Sequence, residues 1–271
     1  MHSPIWKKLK IRKTLKKEAN KTEMTNQQKI RLNKFLAQAN SGSRRSVEKL
    51  IESGLVKVNN DVVTHPGHPI DPQKDSVVYD GNEIRQDIEP TYIMLNKPVG
   101  YICSRSDEKK RETVFSLVRH PQRLFTIGRL DRDSEGLLLF TNDGEFANRL
   151  IHPRYKVEKK YSVVLQKPAP VDCVEKFRRG VIIDKRFRVS GNLYFPNARN
   201  RKVCVVTIRE GRNRQIRKMF AAVGARVKFL QRFQIDALKL GSLAPGAWRY
   251  LTKKELNALK KAVELDHGTK Q

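Results

Sequence analysis

Apolar and polar positions along this chain repeat with two periods, and the changes of period mark its elements. From Ile30 to Ala39, Leu32, Phe35, Leu36 and Ala39 share one helical face, with Arg31, Lys34 and Gln38 opposite. Ser41-Gly42-Ser43 breaks that helix, and Ser43 is a good N-cap for a second one from Arg44 to Glu52. Its inward face is Val47, Leu50 and Ile51, its outward face Arg44, Arg45, Glu48 and Lys49, and Gly54 ends it. Short β segments follow. Leu55 to Val58 turns at Asn59-Asn60-Asp61 into Val62-Val63, and Pro66-Gly67, Asp71-Pro72 and Asp80-Gly81 separate further pieces.

A second region begins near Glu89-Pro90. Tyr92 to Asn96 reads as a strand, Lys97-Pro98-Val99-Gly100 as a type I turn, and Val114, Leu117 and Val118 as a short helix. Then Thr126-Ile127-Gly128 leads into a charged stretch, Arg129 to Glu135. After Gly136 comes the apolar run Leu137 to Phe140, which reads as a buried strand. A charged loop is thus held between two core strands, a favoured place for chemistry. Asp143 caps a helix that should bury Phe146, Ala147, Leu150 and Ile151, and His152-Pro153 stops it. In the strand Lys159 to Leu165, Tyr161 shares a face with Val163 and Leu165. A helix over Pro170 to Arg179 should turn Val171, Val174 and Phe177 inward, with Gly180 closing it. Val203 to Ile208 is another strand. Asn213 suits the N-cap of a helix burying Ile216, Met219, Phe220 and Val223. Strands at Val227 to Leu230, Phe233 to Ile235 and Trp248 to Leu251 precede a last helix with a Thr252/Glu255 capping box.

Charge narrows the function. The 271 residues hold 56 Lys and Arg against 28 Asp and Glu, a formal +28. Such an excess points to a polyanion, with nucleic acid first. The basic residues are spread along the chain instead of along one amphipathic helix, so a membrane surface fits less well. No apolar run approaches the ~18 residues of a membrane span. Cys103, Cys173 and Cys204 are odd in number and far apart, which suits a reducing compartment and no disulfide framework. Residues 1–29 are lysine-rich and lack a secretory core. They are either a basic arm for RNA phosphate or an upstream start before Met24.

The candidate chemistry is sparse. Asp131 lies between Arg129 and Arg132, and flanking guanidiniums suit a carboxylate that works in its charged form. A surface ion pair in a turn is the plainer alternative. Arg212, Arg214, Arg217 and Lys218 crowd a helix start, where each cation opposes the dipole by roughly 0.3–1 kcal/mol. Such a helix start has anions to hold, either RNA phosphate or a site carboxylate, and Arg217 borders the buried face and is best placed to reach inward. Tyr161 by itself reads as a core aromatic. His65 and His68 sit in turns without a ligand set, and no cysteines have metal-ligand spacing. Asp131, Asp133 and Asp143 leave a Mg²⁺ ribonuclease as an alternative, weakened by the capping role of Asp143 and the arginines beside Asp131. No phosphate-binding glycine loop or nucleophile elbow is present.

Two resemblances sharpen this. Arg31-Leu32-Asn33-Lys34-Phe35-Leu36, Ser43-Arg44-Arg45 and Gly54 to Asn59 resemble the α-L RNA-binding motif. That implies an RNA-facing surface of Arg31, Lys34, Arg44, Arg45 and Lys49. Gly128-Arg129-Leu130-Asp131 with Gly136 to Gly144 resembles the signature of the ribosomal RNA pseudouridine synthases. Leu95 to Gly100, Glu158 to Tyr161 and Gly211 to Arg217 match further segments of the branch that carries an N-terminal α-L domain, in order. The resemblance implies an α+β chain: a small RNA-binding domain at 30–88, then a catalytic domain at 89–265 on a largely antiparallel mixed sheet flanked by helices, with a tail at 266–271. It implies isomerisation of a flipped-out uridine without metal or cofactor. Asp131 corresponds to the catalytic aspartate, Tyr161 to the tyrosine that stacks on the base, and Arg217 to the arginine paired with the aspartate. Arg129 corresponds to an arginine that holds the RNA once the base has left the stack. Lys97, Arg132, Arg212 and Arg214 are expected to position RNA. The expected partner is a structured stem-loop of ribosomal RNA, with the Gly211 to Arg217 segment leaning toward the large subunit. A cytoplasmic monomer is expected. A non-catalytic, RNA-binding ribosome-assembly factor is the other alternative.

Overall fold

The computed structural model describes residues 29–39, 41–85, 89–105 and 107–265. All of the basic arm except Lys29, and the tail at 266–271, lie outside the described residues. The chain divides into two compact units, with the boundary between Glu89 and Pro90.

In the first unit β1 (Ile30–Arg31) precedes α1 (Leu32–Gln38) and α2 (Arg44–Glu52). The helix expected from Ile30 starts two residues late, because Ile30 and Arg31 pair with Pro69 and Ile70 of β4 (Pro69–Ile70). Ser43 caps α2 in a reciprocal box with Ser46. β2 (Val56–Val58), β3 (Asp61–Val62), β5 (Val77–Tyr79) and β6 (Asn82–Glu83) form an antiparallel sheet in the order β3-β2-β5-β6. Asn59 and Asn60 both take positive φ, 50° and 73°, which a tight two-residue hairpin requires. Leu32, Phe35, Leu36, Val47, Ile51, Val56 and Ile70 make the core.

The second unit is a nine-stranded mixed sheet. Its main path runs β13 (Asn192–Tyr194), β14 (Val203–Ile208), β10 (Lys159–Leu165), β15 (Val227–Ile235), β9 (Glu135–Thr141), β7 (Tyr92–Lys97) and β17 (Trp248–Tyr250). β8 (Phe125–Ile127) and β16 (Leu238–Lys239) attach to β9 and β15, and β11 (Val181–Ile183) and β12 (Phe187–Val189) make a separate ribbon. Every pairing on the main path is antiparallel except β9 with β15. β7 is buried along its whole length and β9 past its first residue, so their alternate residues feed two cores. Ile93, Leu95, Leu138 and Phe140 face one, where α5 (Cys173–Arg179) and α6 (Gln215–Ala222) pack through Phe177, Ile216, Met219 and Phe220. Met94, Leu137 and Leu139 face the other, under α4 (Gly144–Ile151) and α7 (Lys253–Ala262), which follow α3 (Val114–Leu117) in the helix order.

Three local expectations change. α5 begins at Cys173, not Pro170, which rotates its buried face to Cys173 and Phe177 and leaves Val171 and Val174 exposed. Ile151 is also exposed: it is the last residue of α4 and faces an open cleft. α6 begins at Gln215, and its N-cap position is taken by Arg214 in the left-handed region, φ 51°, in place of Asn213.

Candidate active site

β9 and β15 pair over only two positions, Glu135 with Gln231 and Gly136 with Arg232. A cleft of about 580 Å³ opens beside that short contact, lined from β8, β9, β10, β15, α4 and the segment entering α6. The junction depends on Gly136. Its φ is 107°, and a Cβ there would land on the backbone carbonyl of Arg232.

The loop from Gly128 to Ser134 joins β8 to β9 at the mouth of this cleft. Gly128 turns the chain with φ 71°. From Leu130 onward each backbone carbonyl has a donor. Cys103 Sγ sits 3.4 Å from both the Leu130 oxygen and the Leu130 nitrogen. Ser134 N–H donates to the Asp131 carbonyl at 3.1 Å, and Gly100 N–H donates to that of Arg132 at 2.8 Å. Arg217 Nη2 reaches the Asp133 carbonyl at 2.7 Å, and Lys97 Nζ reaches that of Ser134 at 2.7 Å. A loop so fully bonded holds its side chains in fixed directions.

Lys97 therefore does something other than expected. Its side chain is fully buried and its ammonium spans the Pro98 and Ser134 carbonyls, at 2.9 and 2.7 Å. It cannot touch RNA. Burial lowers its pKa, against the raising influence of Cys103, Asp131, Asp133 and Glu135.

The expected pairing of Arg217 with Asp131 is also absent. Arg217 Nε lies 3.3 Å from Asp133 Oδ2. Arg214 grips the same carboxylate with two bonds of 2.9 Å, and its Nη1 is 3.9 Å from Asp131 Oδ2. The reason is the left-handed Arg214: α6 starts one residue later than an Asn213 cap would give, and the cation facing Asp131 comes from the helix entrance. Burial pushes the Asp133 carboxyl up, but the bond from Arg214 and the charges of Arg217 and Arg214 outweigh it and hold it below its usual range. Asp133 thus anchors two arginines, which accounts for cations at the start of α6. Among the described residues no donor hydrogen-bonds the Asp131 carboxylate, whose side chain is 27 % exposed in the cleft.

The remaining expected residues fall into groups. Tyr161 lines the cleft from β10, 7 % exposed, and its hydroxyl has no hydrogen-bond partner among the described residues. Arg129, Arg132, Arg212 and Arg214 are exposed around the cleft. Arg132 Nε donates to the Gly100 carbonyl at 3.1 Å, and Arg212 pairs with Glu210 at 3.2 Å while covering the Phe187 ring at 4.0 Å. In the first unit Arg31, Arg44, Arg45 and Lys49 are exposed and Lys34 half-buried, and among the described residues none of the five has an ion-pair partner.

Sequence reasoning passed over Lys159 and Arg232. Both are buried and both line the cleft. Lys159 Nζ donates to the Val157 carbonyl at 3.0 Å, and burial, then the Arg232 charge, push its pKa down to about 8. The signal was available: Lys159 shares the inward face of its strand with Tyr161, Val163 and Leu165, an unusual place for an ammonium.

The known proteins this chain resembles share one family and differ in the ribosomal subunit they are named for. The RNA pseudouridylate synthase family matches residues 91–222, and the S4 domain matches residues 30–75. The chain is 39% identical over 242 residues to the ribosomal large subunit pseudouridine synthase B of Bacillus subtilis, covering 88% of this chain and 98% of the relative. It belongs to the RNA pseudouridine synthases. A further relative of this pseudouridine synthase is the ribosomal small subunit pseudouridine synthase A of Escherichia coli, 38% identical, covering 84% of this chain and 98% of the relative. A crystal structure of a pseudouridylate synthase superposes on it with TM-score 0.62 and 31% identity, covering 85% of this chain and 99% of that one. The Asp131 loop, Tyr161 and α6 of the synthase all lie within the matched family segment, whereas Arg232 lies beyond it.

Proposed function

We propose that this synthase isomerises one uridine of ribosomal RNA, in the large subunit, with Asp131 as the reacting carboxylate. The observation that carries this is the contrast within one loop: the carbonyls of residues 130–134 are all bonded, while the Asp131 carboxylate carries no hydrogen bond among the described residues. A carboxylate held in place but left unbonded is ready to attack or to take a proton. It either adds to the anomeric carbon or to carbon 6 of the base, or it removes a sugar proton. The base, flipped from the RNA, stacks on Tyr161, whose unpartnered hydroxyl serves the later loss of the carbon 5 proton. Arg214 faces Asp131, and Arg217 acts through Asp133 to hold the loop. Arg129, Arg132 and Arg212 take RNA phosphate at the rim, and Arg31, Lys34, Arg44, Arg45 and Lys49 hold a structured stem-loop. The large- and small-subunit relatives are similarly close, at 39% and 38% identity, and it is the Gly211 to Arg217 segment that supports the large subunit. We place the activity in the cytoplasm, in a monomer working without metal or cofactor.

The test compares ribosomal RNA from a deletion strain with that of its parent, by carbodiimide labelling and primer extension. One large-subunit pseudouridine should disappear, and Asp131→Asn should fail to restore it while still binding RNA. If every ribosomal pseudouridine survives the deletion, the proposal falls. RNA cleavage abolished by EDTA would point instead to the metal ribonuclease, although Asp133 already has both oxygens engaged by arginine.

A further inference from the structure

Two buried cations line the cleft, in contrast to the exposed arginines of its loops. Arg232 is 4 % exposed and Lys159 9 % exposed. Arg232 donates through Nε to the Leu137 carbonyl at 2.8 Å, yet among the described residues its buried Nη2 has no partner. Burying a guanidinium donor without a partner is costly unless something arrives to meet it. Lys159 uses one bond, to Val157, and has donor capacity left. Two neighbouring buried cations repel each other, and an anion between them would relieve both. Register ties them to the base platform. Tyr161 pairs with Arg232 across β10 and β15, and Lys159 stands two residues before Tyr161 on the same strand face.

Position selects the anion. The exposed arginines at the rim suit a sugar-phosphate chain. A base flipped out of its stack suits the more buried level of Tyr161. A group lying beside the aromatic platform meets the edge of the stacked base, and the edge of uracil carries its carbonyl oxygens. The isomerisation breaks the bond from the anomeric carbon to N1 and forms one to carbon 5. Carbon 5 loses its proton and N1 gains one. Between these events the electron pair of the broken bond rests on the base, spread over N1, O2 and O4. This holds for the two routes that free the base as an anion, in which Asp131 either holds the anomeric carbon as an ester or has taken a sugar proton. We propose that Arg232 and Lys159 bind the carbonyl edge of the detached uracil and hold its negative charge until carbon 5 attacks. They are catalytic residues of the reaction proposed above, on which this inference rests, and they act as a fixed donor set aimed at charge that develops only during reaction.

The experiment uses the full-length protein and synthetic fragments of the RNA it modifies, with uridine, 2-thiouridine or 4-thiouridine at the target. Sulfur is the weaker acceptor, so the wild type should slow on at least one thio substrate in single turnover. Arg232→Gln should slow the uridine reaction by about 10²-fold and lose that thio effect. Lys159→Gln, which leaves the β9 contact untouched, should do the same more mildly. RNA affinity should stay within about twofold in both variants. The idea is overturned if the thio effect is as large in the variants as in the wild type. It is equally overturned if the variants lose affinity and a unit of salt slope with an unchanged chemical step, which would make the pair a phosphate site. A wild type that forms no pseudouridine in any RNA would refute the parent proposal instead.

Discussion

Lys159 shows how a single residue can oppose stability and serve chemistry. Its ammonium is buried beside another cation, and its pKa falls from 10.5 to about 8. At neutral pH the folded protein carries this burden while the unfolded chain does not. The sign follows from proton counts. Between pH 8 and 10.5 the unfolded chain keeps the proton that the folded one has shed. Lys159 therefore contributes destabilisation below pH 8 that fades as pH rises through that window. Lys159→Met should stabilise the protein at pH 7 by on the order of 3 kcal/mol and abolish most pseudouridine formation. Urea melts at pH 7 and pH 10 check it: the gap between variant and wild type should shrink at the higher pH.

Among elements, the joint between β9 and β15 decides whether there is a site at all. Two residue pairs hold these strands together, and Gly136 is one of them. Neither its φ of 107° nor its contact with Arg232 tolerates a side chain. Gly136→Ala should destabilise the protein by roughly 3 kcal/mol or more. Because the Asp131 loop ends at this joint, residual folded protein should also be slow. Thermal melts with parallel single-turnover rates separate the two effects. The pairing of β15 with β10, on its other side, explains why Arg232 escapes a reading by periodicity. Its β15 neighbours Leu230 and Ile235 are buried as a strand alternation with one irregularity, and the register slip opposite Lys160 and Tyr161 sets which residues face the cleft.

For the whole molecule, the formal +28 is divided between tasks. Some cations are consumed internally, as Lys97 and Arg217 are by the loop. Others have no ion-pair partner among the described residues, as on α2 of the first unit, and these are the ones that should follow salt. Arg44→Ala with Arg45→Ala should weaken RNA binding and reduce the slope of log affinity against log salt by about two. Filter binding across a potassium chloride series reads this directly. An unchanged slope would remove the first unit from the RNA interface.

The sequence by itself determined what depends on neighbours along the chain. Strand and helix periods, the caps at Ser43, Asp143 and Thr252, and the buried run after Gly136 were legible because each rests on a few adjacent residues. So was membership in the family, through motifs such as Gly128 to Asp131. Tertiary structure alone decided which charge meets which. Arg214 in place of Arg217 faces Asp131, Lys97 turns inward to a carbonyl 37 residues away, and Arg232 and Lys159 share a wall. Ion pairing and burial depend on distance in space, and a strand register or a one-residue change at a helix start alters that distance without altering any local pattern.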